Sequence, residues 1–273
     1  MAVRPVFMPR LEGASGVTVA EVSFTWVPGM APAQRRKCAA SLQEAVREAW
    51  PRLKALEISS KSGERLGVRL SAFNLGFESR RSGGFVCVES VYQCSKVFAA
   101  AGPFPEGYRL NAAEARALVA EHADQPLQAF ELHGERWPLL PRRAFYNWVY
   151  CHALRANPRL VQEVLRYSCF TDIEFNPSRS VNCQAYAVAL YVSLTACGQL
   201  EQALSGRDAF LAVHPPDDPP PLPRRKATSG SQQTKTATGR SGKNAARKSG
   251  GKSASLSNSA SSHVANLLCL PES

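Results

Sequence analysis

The sequence lacks the features of membrane and secreted proteins. Its 273 residues contain no apolar run of about 18 residues, the length that a membrane-spanning helix needs. Residues 1–28 hold no apolar segment behind a basic start, so no secretory signal is expected. No internal repeat is present, which argues against a coiled coil or a solenoid. These absences together predict a cytoplasmic protein with no membrane partner.

Paired and clustered cysteines are also missing. The eight cysteines form no C-x-x-C pair, and no group of His and Cys residues has the spacing of zinc ligands. Several of them, such as Cys87 and Cys151, stand among apolar residues, which is typical of small buried side chains in a reducing compartment. We therefore expect no metal site and no cofactor.

Acidic residues are scarce at the end of the chain. The formal net charge is +11, and nine cations but a single carboxylate, Glu272, follow residue 223. Residues 224–273 contain no aromatic side chain, so they cannot bury enough apolar surface to offset the entropy of ordering. We predict a disordered basic tail over 224–273 behind a Pro-rich spacer over 214–223.

The positive charge favours a polyanionic partner. A basic tail can bind nucleic acid non-specifically by releasing counterions from phosphates. A solvated extension without a partner explains the same composition. The remaining residues, 1–213, form the predicted globular domain.

Hydrophobic periodicity over 1–213 predicts a mainly helical α+β domain with a few short strands. The spacing of Asn111 and Glu114 is that of a capping box at a helix start. The predicted strands lie at 17–26, 68–73 and 85–88, and the predicted helices at 33–50, 89–101, 111–123, 144–155, 160–167 and 182–194.

The helix expected at 89–101 carries three polar residues on one face. Glu89, Gln93 and Lys96 stand at i, i+4 and i+7, so they stack over two turns beside apolar neighbours. A carboxylate, an amide and an amine in a row suggest a site. A solvated polar face has the same spacing and is the preferred interpretation on spacing alone.

A second polar segment, 170–184, leads into an apolar helix. Ser180 or Asn182 is suited to cap that helix, whose first amide groups favour an anion such as phosphate. An ordinary capped loop explains the same residues. A third segment, 58–74, adds Lys61 and several hydroxyl groups.

The order and content of these segments resemble the NADAR superfamily, which has the YbiA-like fold. The pattern Glu89-x-x-x-Gln93-x-x-Lys96-x-Phe98 resembles its Glu, Gln and Lys-Phe signature, although Ser90 replaces the usual His. Five separated segments between about residues 4 and 212 are similar to a subgroup, the antitoxins encoded beside DarT-type DNA ADP-ribosyltransferase toxins. The segments are 4–7, 57–62, 70–75, 145–148 and 170–177.

The resemblance implies an antitoxin that removes ADP-ribose from guanine bases of DNA by hydrolysing an N-glycosidic bond. It also implies a mainly helical α+β fold, no metal, ADP-ribosylated DNA as substrate and a DarT-type toxin as a genomic neighbour. Such a reaction needs a carboxyl group to protonate the base or to stabilise positive charge at C1″. Alternatively, a lysine amine attacks C1″ and forms a Schiff base that water resolves.

On this interpretation Glu89 is the acid/base, Lys61 and Lys96 are the candidate nucleophiles, and Asp172 holds ribose hydroxyls or orients water. The two lysines are expected to lower the pKa of each other. The residues expected to contact substrate are polar side chains of these segments and one tryptophan suited to stack on a base: Ser71, Asn74, Gln93, Trp137, Glu174, Asn176, Arg179, Ser180, Asn182 and Gln184.

Two other functions remain open. The first is a YbiA-like N-glycosidase acting on a riboflavin-pathway intermediate, which needs no basic tail. The second is a non-catalytic module that binds ADP-ribose or a toxin. A third, a nucleic-acid-binding scaffold, has the least support because residues 1–223 are nearly neutral and contain no recognisable DNA-reading motif.

Overall fold

The computed structural model describes residues 1–29, 31–78, 84–178 and 180–214. Three predicted features lie outside the described residues: the spacer at 214–223 except for its first residue, the tail at 224–273, and Arg179. None of the helices in the described ranges is long and apolar enough to cross a membrane.

Helices and strands alternate along the described part of the chain. The strands are β1 Ala2–Pro9, β2 Val17–Phe24, β3 Ala55–Glu57, β4 Gly76–Glu78, β5 Phe85–Cys87, β6 Lys96–Phe98, β7 Leu127–Leu132, β8 Glu135–Trp137 and β9 Cys169–Thr171. The helices are α1 Pro32–Ala49, α2 Arg65–Arg69, α3 Val88–Cys94, α4 Ala112–Ala120, α5 Ala144–Arg155, α6 Pro158–Val164, α7 Gln184–Ala196, α8 Leu200–Ala203 and α9 Arg207–Val213. The α+β class is confirmed.

The largest sheet has four strands in the order β2-β1-β9-β3. β1 and β2 pair antiparallel from Ala2↔Phe24 to Pro9↔Val17, whereas β3 runs parallel to β9 with Glu57 opposite Thr171. Helix α1 packs on this sheet through Cys38, Leu42 and Val46, which recur at helical spacing. The short strands β3 and β9 thus end side by side against a buried layer.

Two nearly fully buried helices, α5 and α7, occupy the main core. Every residue from Ala144 to Leu154 and from Gln184 to Leu194 is buried, so both helices are enclosed on all sides. The described cysteines are free, and all but Cys197 are buried, as expected for small apolar side chains.

The predicted strand at 68–73 is wrong. The segment belongs to α2 and the turn behind it, with Leu66 and Leu70 buried four residues apart. Gly67 lies against β3, where an added Cβ would come within 1.9 Å of the carbonyl oxygen of Glu57. Packing of this short helix onto β3 therefore overrides the local alternation of apolar residues.

The predicted helix at 89–101 is too long. Helix α3 ends at Cys94, and residues from Lys96 onward form β6, which pairs antiparallel with β7. The backbone N–H of Glu131 donates to the carbonyl oxygen of Ser95 at 2.7 Å. Pairing with β7, which is distant in sequence, thus ends the helix at Cys94, two residues before Lys96.

Candidate active site

A cavity of about 430 Å³ opens where α3, the loop behind β9 and the start of α7 meet. Eight of the sequence-predicted site residues line it: Glu89, Gln93, Lys96, Asp172, Glu174, Ser180, Asn182 and Gln184. The structure thus brings together side chains from two segments that are about 80 residues apart in sequence.

A chain of hydrogen bonds connects the three residues singled out on α3 and β6. Gln93 donates from Nε2 to Oε1 of Glu89 at 2.8 Å, and Nζ of Lys96 donates to Oε1 of Gln93 at 2.6 Å. The Glu89 side chain is buried at the bottom of the cavity. The row expected along a helix face therefore forms across the junction of a helix and a strand.

Lys96 has an environment that favours its neutral amine. Burial is the main cause that lowers the pKa of Lys96, and the charge of Arg116 lowers it further, while Glu89 opposes the shift. The ammonium nitrogen lies 5.3 Å from the ring centroid of Tyr92. A lysine with a lowered pKa is a better nucleophile near neutral pH than an exposed one.

Arg116 completes the carboxylate site from a different helix. Its Nε donates to Oε1 of Glu89 at 2.7 Å and forms an ion pair that reaches the cavity from α4. The Arg116 guanidinium also lies over the ring of Phe73, 5.0 Å from its centroid. Phe73 is 37% exposed at the cavity, so an aromatic face and a cation stand together there.

Asp172 lies buried at the start of the loop behind β9. Its Oδ1 accepts hydrogen bonds from the backbone N–H groups of Glu174 (3.0 Å) and Phe175 (3.2 Å). The Gln184 side chain donates to the same carboxyl group and accepts from the N–H of Ala72 at 2.8 Å. Burial and then the charge of Glu57 raise the pKa of Asp172 to about 8, so this group retains a proton near neutral pH.

Glu57 is the buried neighbour that acts on Asp172. Its carboxyl accepts from the hydroxyl groups of Ser59 (2.8 Å) and Thr171 (2.5 Å) and from the N–H of Ile173 (2.8 Å). Burial nevertheless raises the pKa of Glu57. Two carboxyl groups thus lie close together at the ends of the paired strands β3 and β9.

Asn182 lines the cavity and has one acceptor atom without a partner. Its side chain donates a hydrogen bond to the hydroxyl group of Tyr92, and its buried Oδ1 has no partner within the described ranges. A buried acceptor without a partner is costly, so a hydroxyl donor of a bound molecule would satisfy it. Burial raises the pKa of Tyr92 to about 12, so its hydroxyl group stays protonated.

A family model for DarT1-associated NADAR antitoxins matches residues 2–219. The chain belongs to this NADAR antitoxin family. Its family role is that of an antitoxin associated with a DarT1 toxin, as the motifs of the sequence predict. A comparison with curated proteins found no match.

Some residues expected at the site of this NADAR antitoxin lie elsewhere. Trp137 is fully buried against Phe145, Trp148 and Phe210, so the expected stacking of Trp137 on a base is wrong. A tryptophan at the end of a short strand is easily mistaken for an exposed one when the helix that covers it lies further along the chain.

The structure places three polar residues of the NADAR motifs in turns, outside the cavity lining: Ser71, Asn74 and Asn176. Asn74 donates from Nδ2 to Oγ of Ser71 (3.0 Å) and to the carbonyl oxygen of Val68 (2.9 Å). Oδ1 of Asn176 accepts from the N–H (3.1 Å) and hydroxyl (2.8 Å) of Ser178. Their bonds hold the loops that carry Phe73 and Ser180.

Lys61 lies in a second cavity, of about 580 Å³, which Lys96 does not line. Its Nζ donates to Oγ of Ser60 at 2.9 Å. Burial and Arg116 lower the pKa of Lys96, and Lys61 does not contribute to this shift, in contrast to what the sequence suggested. Lys96 is thus the lysine that the structure places beside Glu89.

Four residues that the sequence did not predict also line the cavity: Phe73, Tyr92, Arg116 and Tyr146. Tyr92 and Phe73 fall inside the NADAR-like segments, so their positions in the motifs were the available signal. No sequence feature indicated Arg116, because it lies on α4, 27 residues from Glu89 along the chain. Within the described ranges, no group of three or more His, Cys, Asp or Glu side chains is arranged to hold a metal ion.

Proposed function

We propose that this antitoxin is an ADP-ribosyl glycohydrolase that removes ADP-ribose from guanine bases of DNA and so reverses a DarT1-type toxin. One observation carries the proposal. The cavity holds the ion-paired carboxylate of Glu89, the amine of Lys96 and the buried carboxyl of Asp172 together. A glycosidic bond is cleaved by groups of these types.

The reaction breaks the bond between C1″ of the distal ribose and the guanine, and water supplies the hydroxyl group that replaces the base. Positive charge develops at C1″ as the bond breaks, and the Glu89 carboxylate stabilises it. Asp172 retains a proton near neutral pH because its pKa is raised to about 8, so we assign protonation of the leaving base to Asp172 and not, as the sequence suggested, to Glu89. The products are free ADP-ribose and unmodified guanine.

Lys96 offers a covalent route to the same products. Its neutral amine attacks C1″, the ribose ring opens, and a Schiff base forms between Nζ and C1″ as the protonated base leaves. Water then adds to the Schiff base and releases ADP-ribose. The lowered pKa of Lys96 supplies the neutral amine that the first step needs.

Substrate contacts follow from the polar lining. Oδ1 of Asn182 accepts from a ribose hydroxyl, and the guanidinium of Arg116, half-exposed at the cavity, is suited to a diphosphate oxygen. Gln93, Ser180 and Gln184 line the same space. Phe73 offers an exposed ring on which a base can stack.

The test is a de-modification assay on a DNA oligonucleotide that carries ADP-ribose on guanine. We expect the full chain to release ADP-ribose and Glu89→Gln to lose at least about 100-fold in rate, because electrostatic stabilisation of the transition state is lost. The matched control is Glu44→Gln, an exposed carboxylate of α1 outside the cavity. Urea unfolding of each variant shows that it is folded.

Borohydride added in a parallel tube reduces a Schiff base to a stable adduct. We expect an adduct on Lys96 in the full chain, none with Lys96→Ala and an undiminished adduct with Lys61→Ala. An adduct that depends on Lys61 would move the nucleophile to that residue. Folded full-length protein that releases no ADP-ribose would refute the proposed function, and so would Glu89→Gln with full activity.

A further inference from the structure

The second cavity shares no lining residue with the candidate active site and is larger than that site. It is bounded by α1, by the segment 51–55 and by the loop 61–64, and its volume is about 580 Å³. Five cationic side chains line it: Arg36, Arg47, Arg52, Lys54 and Lys61. This surface, which we call the basic groove, plays no part in the chemistry proposed above.

One stripe of α1 forms the floor of the basic groove. Arg36, Ala40, Gln43 and Arg47 recur three or four residues apart, so they lie on one face of the helix. The two arginines are about 16 Å apart along the helix axis at 1.5 Å per residue. The alanine between them leaves room for a ligand to lie on the helix.

The groove also has two carboxyl groups, of which Glu57 is buried and Glu64 is exposed. Glu57 is buried and accepts three hydrogen bonds, and Glu64 accepts the hydroxyl proton of Tyr167 at 2.5 Å. Lys54 lies over the ring of the same tyrosine, 4.2 Å from its centroid. Cationic side chains therefore outnumber exposed carboxylates on this face, although Arg47 is ion-paired with Glu44, and one aromatic ring lies among them.

This combination fits a nucleic-acid strand better than a single phosphate ion. Cations spread over about 16 Å match several phosphates, since successive phosphates of a strand advance about 3.4 Å along a duplex. Cationic grooves with an aromatic side chain track a strand without reading its sequence. A single phosphate would contact only one or two of these five side chains.

The position of the groove links it to the candidate active site. Glu57 at the end of β3 lines the groove, and the residue that follows β9, Asp172, lines the active cavity. The two strands pair with Glu57 opposite Thr171. Residues at or directly after the ends of the paired strands β3 and β9 thus line both cavities.

We propose that the basic groove binds the sugar-phosphate backbone of the DNA strand whose modified guanine enters the active cavity. The proposal rests on the proposed function, whose substrate it extends from an ADP-ribosylated base to a strand. Arg36, Arg52 and Lys54 contact phosphates, and Lys61 is a backbone contact as well. The groove is separate from the basic tail, which lies outside the described residues.

The test compares two triple variants of the full chain that remove the same charge. The groove variant is Arg36→Gln/Arg52→Gln/Lys54→Gln, and the control variant is Arg109→Gln/Arg136→Gln/Arg159→Gln, whose side chains are exposed and line neither cavity. Fluorescence anisotropy with an unmodified single-stranded oligonucleotide is measured over a range of salt concentrations. In a plot of the logarithm of the association constant against the logarithm of salt concentration, the slope is negative. We expect its magnitude to decrease by about 2 in the groove variant, because each of the three lost phosphate contacts contributes about 0.7. In the control variant the magnitude should decrease by less than about 1.

Turnover provides a second readout. We expect the groove variant to raise KM for the modified oligonucleotide and to leave kcat unchanged, with no change for ADP-ribosylated guanosine, which has no neighbouring phosphates. Equal salt slopes for the two triple variants would overturn the proposal. The proposal would also be overturned if the groove variant bound the strand normally but no longer bound the toxin, since the groove would then be a protein interface.

The two proposals fail in different ways. If the full chain releases no ADP-ribose from any substrate, the proposed function is wrong, while the difference in salt slope still decides whether the groove binds a strand. If release is normal and the slopes are equal, the groove proposal alone is wrong.

Discussion

The buried pair Glu57 and Asp172 makes the stability of the protein depend on pH in a predictable direction. Burial raises the pKa of Glu57, and burial together with the Glu57 charge raises the pKa of Asp172 to about 8. In the unfolded chain both carboxyl groups return to ordinary values near 4. Between these limits the folded protein retains protons that the unfolded chain has released.

The sign follows from this difference in bound protons. The folding free energy contributed by the pair is most favourable below about pH 4 and is lost as pH rises towards 8, because the unfolded state then binds fewer protons. Glu57→Gln removes one of the two groups and also the like charge that acts on Asp172. We therefore expect the variant to lose less stability than the wild type between pH 5 and pH 8.

The magnitude follows from Asp172, whose pKa is raised to about 8. One pKa unit is about 1.4 kcal/mol, so Asp172 alone should lower the free energy of unfolding by about 4 kcal/mol between pH 5 and pH 8 in the wild type. Glu57→Gln should reduce this fall, because the Glu57 charge that raises the pKa of Asp172 is removed. The amide can retain the bonds from Ser59 and Ile173 and donate to Thr171. Any cost of the substitution itself is independent of pH and cancels in this difference.

Urea unfolding at pH 5, 6, 7 and 8 measures the effect. The control variant is Glu44→Gln, whose carboxylate is exposed on α1, and its stability should follow the wild type at every pH. Parallel pH curves for the wild type and Glu57→Gln would refute the reasoning, because they would show that Glu57 binds no extra proton in the folded protein. A steeper fall in the variant would refute the sign.

Three further substitutions test the packing that positions the site, each by the shift in urea midpoint. Trp137→Ala should cost about 3–5 kcal/mol because the ring is fully buried, and a loss below about 1 kcal/mol would contradict its place in the core. Gly67→Ala should cost about 1–3 kcal/mol because the new Cβ meets the carbonyl of Glu57 at 1.9 Å, and an unchanged midpoint would contradict that contact. Asn111→Ala should cost about 1 kcal/mol by removing the capping box with Glu114, whereas Asn111→Ser should retain most of it.

The two helices of the main core were predictable because their segments are rich in apolar residues and too long for a typical buried strand. Helix α5 was predicted with the bounds that the structure shows, and α7 within two residues. Strand β1 was not predicted, since Pro5 within it argues against a strand. In the structure β9 pairs with β1 only at Phe7, so Pro5 lies where β1 is an edge on that side.

The lengths of short elements depended on partners that a local pattern does not contain. The spacing of Glu89 and Gln93 correctly predicted one helix face, but β7 pairs with the segment that holds Lys96 and ends the helix. The same side chains still meet, because Gln93 bridges from the helix to the strand. A site can therefore be anticipated from its residues when the element that carries them is wrong.

The family resemblance indicated residues of the cavity that spacing alone could not indicate. Asp172 and Asn182 occur in a loop whose polar content also fits an ordinary cap, and only the resemblance favoured a site. The resemblance also carried Lys61, Ser71 and Asn74, which the structure places outside the cavity. Position in a motif thus indicates a neighbourhood, and the direction of each side chain is decided by tertiary packing.

The electrostatics of the cavity favour a reaction in which positive charge appears at the substrate. Burial shifts Lys96 and Asp172 towards their neutral forms, from opposite sides of the pH scale. Glu89, in contrast, is ion-paired with Arg116 and brings a negative charge to the same space. In the proposed reaction, these three environments suit an amine that attacks, a carboxyl that donates a proton and a carboxylate that faces a developing cation. A site that only bound ADP-ribose would gain nothing from a buried lysine with a lowered pKa, because a fully charged lysine holds a diphosphate better.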